Sequence, residues 1–216
     1  MSGRQKGVPM ENHSKYDQII DAFQELLGNE DIRHISVNQI AQKAGIGKGS
    51  IYYYFSSKDD ILEALIQRVY ADTVALAKQL ETQTNLSASR RIARIFNSSR
   101  QASQEFLLKS EISKNQQNTS GRIYDSAYIH QQFMSHVIRE LKPSFSEIIN
   151  QGIQNGEVTF DYPEELADII QIVLTVKIDN TLSPASEEEI TRSLQALISL
   201  LEKGTDNPLG AFNLQV

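Results

Sequence analysis

A chain of 216 residues, 40% hydrophobic and 22% charged, has the makeup of a folded globular protein and is long enough for a small domain joined to a larger one. No apolar run approaches the roughly 18 residues a membrane span requires, and the polar start from Met1 to His13, with Gly3, Gly7 and Pro9, reads as neither signal peptide nor anchor, so a cytoplasmic protein without membrane contact is expected. The lack of cysteine excludes disulfides, thiolate metal sites and a cysteine nucleophile, and the net charge of -6 opposes nucleic-acid binding unless the cations are gathered in one place.

Apolar residues recur at spacings of three and four along the chain, which predicts an all-α protein. A first helix fits Ser14 to Gly28, with Ile19, Ile20, Phe23, Leu26 and Leu27 on one face and Gly28-Asn29 as its stop. Ser36 and Gln39 form a capping box, with Ile35 and Ile40 placed as a hydrophobic staple, so a second helix starts there and ends at Lys43-Ala44-Gly45. A short third helix runs from Lys48 to Phe55. Ser57 and Asp60 open a long fourth one through Ile61, Leu62, Leu65 and Val69 to Leu80.

The polar stretch Glu81 to Ser89 is the clearest break in the chain. A helix from Ser89 to Glu105 follows, then weak patterning to Ser120, then a helical reading from Tyr124 to Asn155 in which Pro143 must either kink the helix or start a new one. Pro163, with acidic neighbours, opens a helix through Ile178. Ser186 and Glu189 cap the last one, which ends at Gly204, and Thr205 to Val216 reads as a tail from which Leu209, Phe212, Leu214 and Val216 are able to dock back.

The second and third helices have the parts of a helix-turn-helix: Ala41 as the small crossing residue, Gly45 in the turn, and Ile40, Ala44, Ile46 and Ile51 facing inward. At about 100° per residue Ile51 and Phe55 share the inner face of the third helix, while Gly49, Tyr52 and Tyr53 point outward and Tyr54 is mainly packed. From Ile32 to Lys58 the sequence holds Arg33, Lys43, Lys48 and Lys58 and no acidic residue. Such a stretch steers a polyanion. The expected contacts with double-stranded DNA are therefore Ser36, Lys48, Gly49, Ser50, Tyr52, Tyr53 and Lys58, combining short hydroxyls, phenols, cations and close backbone approach.

The run AQKAGIGKGSIYYYFSSKDDILEAL, Ala41 to Leu65, closely resembles the DNA-binding domain of the tetracycline-repressor (TetR) family, with Gly47 where the family often carries serine. A second segment, IINQGIQNGEVTFDYPEELADII, resembles one common near the end of the family's regulatory domains. The resemblance implies a flexible arm (1–13), a three-helix head (14–60), a larger helical regulatory and dimerisation domain entered through the fourth helix (61–204) and a tail (205–216). It also implies a homodimer joined by the last two helices and a repressor released from a near-palindromic operator by a small-molecule effector. The stripes Leu194, Leu197, Ile198, Leu201 and Ile169, Ile170, Val173, Leu174, Ile178 fit such a bundle and fit an intramolecular core equally well.

Phe96, Phe106, Tyr124, Tyr128, His130, Phe133, Phe145 and Ile172 are the expected lining of an effector pocket, with His136 as a further polar contact. His130 and His136 are six apart and lie on different faces of a helix, so no metal site is expected, nor any cofactor. No nucleophile motif or phosphate loop suggests an enzyme, and paired acids such as Glu164-Glu165 sit at helix starts, where capping explains them. The alternative is a DNA-bound adaptor that uses the same head under the control of a protein partner.

Overall fold

Several helix starts in this chain fall where a side chain accepts the first unpaired N–H groups. Ser14 takes the Asp17 N–H, and Ser36 and Ser186 each form a reciprocal box with the residue three further on. The structure is a computed structural model and describes residues 14–109, 119–179 and 185–211. Among these the regular elements are eight helices: α1 (Lys15–Asn29), α2 (Val37–Lys43), α3 (Lys48–Tyr54), α4 (Lys58–Glu81), α5 (Ala88–Lys109), α6 (Thr119–Gln154), α7 (Pro163–Asp179) and α8 (Glu187–Gly204). None of them is long and apolar enough to cross a membrane.

The chain divides into two compact units, Met1–Leu65 and Ile66–Val216, and α4 runs through the boundary. In the first unit, here the head, α1 packs on α2 and α2 on α3. Ile19, Ile20 and Phe23 of α1, Ile40 of α2, Ile51 of α3 and Ile61, Leu62 and Leu65 of α4 are all essentially inaccessible to water. Each such side chain contributes about 1.5–3 kcal/mol by leaving water, more than any single cap supplies, so this apolar face holds the three short helices together.

In the second unit, the body, α6 packs along α7 and against α5, and α7 also meets α5 and α8. Ile92, Ile95, Phe96, Val137, Leu141, Phe145, Ile148, Ile170 and Leu174 are buried there. Pro143 neither ends α6 nor starts a new helix; the element is continuous over 36 residues. Just before the turn that the proline crowds, the Val137 and Ile138 carbonyls accept the Gln171 side-chain amide of α7 at 2.9 and 3.1 Å and so tie α6 to α7. Gly152 has a packing reason: a Cβ there would stand 2.7 Å from the Ala88 Cβ. The segment from Thr205 to Ala211 is tied down, with Thr205 buried, its carbonyl accepting Thr159 N–H at 3.2 Å and Gly210 N–H donating to Glu202 at 2.7 Å. Leu209 stays exposed, while the arm 1–13 and Phe212, Leu214 and Val216 lie outside the described residues.

Candidate nucleic-acid interface

The corner between α2 and α3 is closed by main-chain bonds. Ile46 N–H donates to the Ala41 carbonyl at 3.0 Å and Gly45 N–H to that of Gln42 at 3.2 Å, the paired arrangement that satisfies the last carbonyls of a helix. This geometry puts Gly45 at φ +68, where a Cβ would strain the backbone. Gly47 caps α3 without a side-chain bond, and Ser50 N–H reaches its carbonyl at 2.8 Å. Ile51 and Phe55 are then buried, whereas Tyr52 and Tyr53 are 53% and 81% exposed. Tyr54 lies between these extremes, edge-on to both Tyr53 and Tyr16, and Tyr16 stacks on Phe55 with ring centroids 4.9 Å apart.

Folding changes the charge picture that the sequence presents. Arg33 pairs with Asp31 at 2.7 Å, and the guanidinium's hydrogen bonds hold that carboxyl below its ordinary range. Lys43 pairs with Glu25 of α1, and the Lys58 ammonium is bonded to backbone carbonyls of the α1–α2 turn. Lys48 is exposed and has the Tyr52 ring 5.9 Å from its Nζ. The outward face of α3 thus groups Lys48, Gly49, Tyr52 and Tyr53, a cation beside open backbone and two phenols; the space a Gly49 Cβ would take is empty. Ser50 is half-buried, and Ser36 is engaged in its box, donating to Gln39 Oε1 at 2.7 Å and accepting Gln39 N–H at 3.2 Å.

Residues 19–65 match the family model described as bacterial regulatory proteins, tetR family, and residues 109–199 match the one described as tetracyclin repressor-like, C-terminal domain. The chain belongs to the TetR family. It is a DNA-binding transcription regulator of that family. The fatty acid metabolism regulator protein of Bacillus subtilis (strain 168) is 26% identical over 144 residues, 67% of this chain and 71% of that protein. Matches to several further curated relatives span 38% or less of their length. Among solved structures the fold is similar to the fatty acid degradation regulator FadR from Bacillus halodurans, with TM-score 0.61, 20% identity and coverage of 92% of this chain and 100% of that one. It is also similar to SmeT in its triclosan complex, with TM-score 0.65, 14% identity and coverage of 94% and 96%.

In the body of this TetR-family regulator, the structure brings together only part of the expected pocket. Phe106 and Phe133 lie tilted against each other with centroids 4.5 Å apart. Tyr70 of α4 meets Phe133 and His136 at 5.9 and 6.2 Å, and its hydroxyl lies 2.6 Å from Ser103 Oγ. Phe96 and Phe145 are buried in the same unit, and His130 is half-buried. Two of the expected lining residues lie at the surface. Ile172 is 48% exposed, because Ala167, Ile170, Gln171 and Leu174 take the inward face of α7 and leave Ile169 and Ile172 outside. Tyr128 is exposed as well, while the Tyr124 side chain lies outside the described residues.

The sequence reading missed Tyr70, Thr73, Ser98, Ser103 and Arg91. Thr73 is buried on α4 with its hydroxyl 2.8 Å from Ser98 Oγ, and Arg91 is fully buried, donating to Gln151 Oε1 at 2.6 Å and the Leu80 carbonyl at 3.4 Å. Burial pushes the Arg91 pKa down, and its Nε and Nη2 have no hydrogen-bond partner. The available signal was the helical phase: Tyr70, Thr73 and Ala77 continue the buried face of α4, and a polar residue in that register is a buried polar residue. Among the described residues no group of three His, Asp or Glu side chains is placed to hold a metal.

Proposed function

We propose that this regulator is a dimeric repressor whose heads read the two halves of a near-palindromic operator and whose body takes a largely apolar small molecule that releases the DNA. The observation that carries the first part is the outward face of α3. Lys48 supplies a cation and Gly49 close approach, Tyr52 and Tyr53 supply hydroxyls for phosphates and rings for sugar or a thymine methyl, and Ser36 and Ser50 are assigned further short hydroxyl contacts. Docking two α3 helices in successive major grooves requires a two-fold pair. Leu200 of α8 and Ile169 and Ile172 of α7 are large apolar side chains left exposed on the last two helices, and a second copy covering them accounts for that exposure.

The effector reading rests on the aromatic cluster of Tyr70, Phe106 and Phe133, beside which Ser103 and His136 offer polar anchors. The fatty-acid regulator among the relatives makes long-chain acyl derivatives the first probes to use. A duplex selected by the protein from a random-sequence pool is titrated with and without an acyl-chain series, while thermal stability is followed in parallel. Saturable stabilisation together with loss of DNA binding is the expected result. Stabilisation that leaves DNA affinity unchanged at fixed salt overturns the release mechanism, and a flat screen with a reproducible protein partner favours the adaptor. Light scattering of Leu200→Asp tests the dimer: a variant that remains dimeric removes α8 from the interface.

A further inference from the structure

Lys58 is the first residue of α4, a position where the positive end of the helix disfavours a cation. Asp59 and Asp60 follow it, and Asp60 accepts the Ser56 and Ser57 N–H groups, so that turn has acidic and capping partners without the lysine. Lys58 is half-buried, and its ammonium donates to the Ile32 carbonyl and, at 3.1 Å, to that of Ile35, residues 26 and 23 positions earlier. Both carbonyls belong to the turn between α1 and α2, whose own main-chain bonds run from His34 N–H and Ile35 N–H to the Asp31 carbonyl at 2.9 and 3.3 Å. Ile32 and Ile35 anchor that turn in the core. The next residue is Ser36, the cap of α2.

We infer that Lys58 is a positioning residue whose ammonium ties the first turn of α4 to the α1–α2 turn and so fixes the start of α2, and that it does not neutralise a DNA phosphate. This rests on the reading of the head as the DNA-binding unit. Swinging the ammonium out to a phosphate would strip a charged donor from two carbonyls flanked by buried isoleucines, and such bonds are the stronger kind. Lys43 differs in kind. Its exposed ion pair with Glu25 contributes little and is readily exchanged for a phosphate oxygen. Because α4 continues past Leu65 into the second unit, a shift of its first turn is handed through Lys58 to the capped end of α2.

Two measurements on the full chain test this. In the free protein, acetylation by an N-hydroxysuccinimide ester, read by mass spectrometry, labels exposed Lys48 quickly and Lys58 slowly, and adding the selected duplex protects Lys48 without changing Lys58. Rapid labelling of Lys58 that the duplex suppresses overturns the proposal. In titrations across salt, Lys58→Met weakens binding about tenfold, the size of an ordinary coupling between sites, and leaves the salt slope at its wild-type value, whereas Lys48→Met lowers that slope by about 0.9 for each of the two heads, about 1.8 for the dimer. A Lys58→Met slope lowered as much as that of Lys48→Met makes the residue a phosphate ligand, and unchanged affinity removes its positioning role. If the unaltered protein selects no duplex, the DNA-binding reading fails by itself and the labelling of the free protein still decides whether Lys58 is held.

Discussion

The head presents its functional groups on an exposed surface held by contacts of short reach, whereas the body gathers its polar groups inside through contacts of long reach. Ser36 and Gln39 are three residues apart, and the corner closes between Ala41 and Ile46. In the body, Thr73–Ser98, Tyr70–Ser103, Arg91–Gln151 and Glu81–Ser144 span 25, 33, 60 and 63 residues. A surface group whose neighbours are set locally is removable at a cost in binding. An interior group serves both packing and recognition, and its loss affects both. The division has exceptions: Tyr16 stacks on Phe55 from the far end of the head, and Lys58 is a head residue whose role depends on a turn 23 to 26 residues away.

Truncation inside the body carries the largest expected effect. Phe133 is buried against Phe106 and Tyr70, so Phe133→Ala removes a ring from a close-packed cluster and leaves a cavity, at a cost of about 3–5 kcal/mol in urea denaturation. A loss below about 1 kcal/mol means that the cluster collapses around the gap or is loosely packed from the start. Filling that gap with an acyl-chain probe restores stability if the cluster lines the effector site, and does nothing if it is plain core.

In the head the largest structural effect belongs to the corner. Gly45→Val places a β-branched residue at φ +68, a strain of about 1–3 kcal/mol, with the α2–α3 angle and DNA binding lost together. Gly45→Asn, which tolerates the left-handed region, retains most of both. If valine is accepted without loss of melting temperature, the corner is softer than its two main-chain bonds imply.

This contrast also explains what was legible in the residues. Caps, the Gly45 turn, the inward pair Ile51 and Phe55 and the outward pair Tyr52 and Tyr53 follow from periodicity and turn chemistry, because each depends on neighbours within a few positions. The cationic stretch from Ile32 to Lys58 was legible as composition but not as free charge. Its partners Asp31 and Glu25 lie outside the stretch, and main-chain carbonyls, the partners of Lys58, leave no trace in sequence. The pocket reading selected residues by type, aromatic above all; it took in Phe106 and Phe133, which meet inside the body, and also Ile172, whose phase on α7 faces outward. Tyr70 was passed over because α4 reads as a connecting helix until its contacts with α5 and α6 are seen.

A smaller effect tests the polar interior pair by pair. Ser103 donates its hydrogen to the Ser99 carbonyl at 3.1 Å, so the Tyr70 hydroxyl is the donor to Ser103 Oγ. Tyr70→Phe and Ser103→Ala, singly and together, are expected to show a coupling of about 0.5–1.5 kcal/mol. Additive losses would show that the pair is only adjacent, and the long-reach contacts of the body would then be packing alone.

The smallest effect concerns pH at the end of α4. Burial raises the pKa of Glu81, but the hydroxyl of Ser144 at 2.5 Å and the ammonium of Lys78 outweigh it, and the carboxyl ends below its ordinary value. A carboxylate depressed on folding contributes stability that is fully present above the unfolded value and is lost as pH falls through the folded one. Glu81→Gln is therefore expected to cost up to about 1 kcal/mol near neutral pH, by the size of a hydrogen bond to a charged group in a partly wet site. That difference from the unaltered protein should shrink as the pH drops through the carboxylate range. Ser144→Ala should reproduce part of the same pH dependence, since it removes the cross-helix donor and leaves Lys78, three residues away on α4, in place. A difference that persists unchanged into acid would mean that Glu81 acts by shape and not by charge, so its bond to α6 would not depend on protonation.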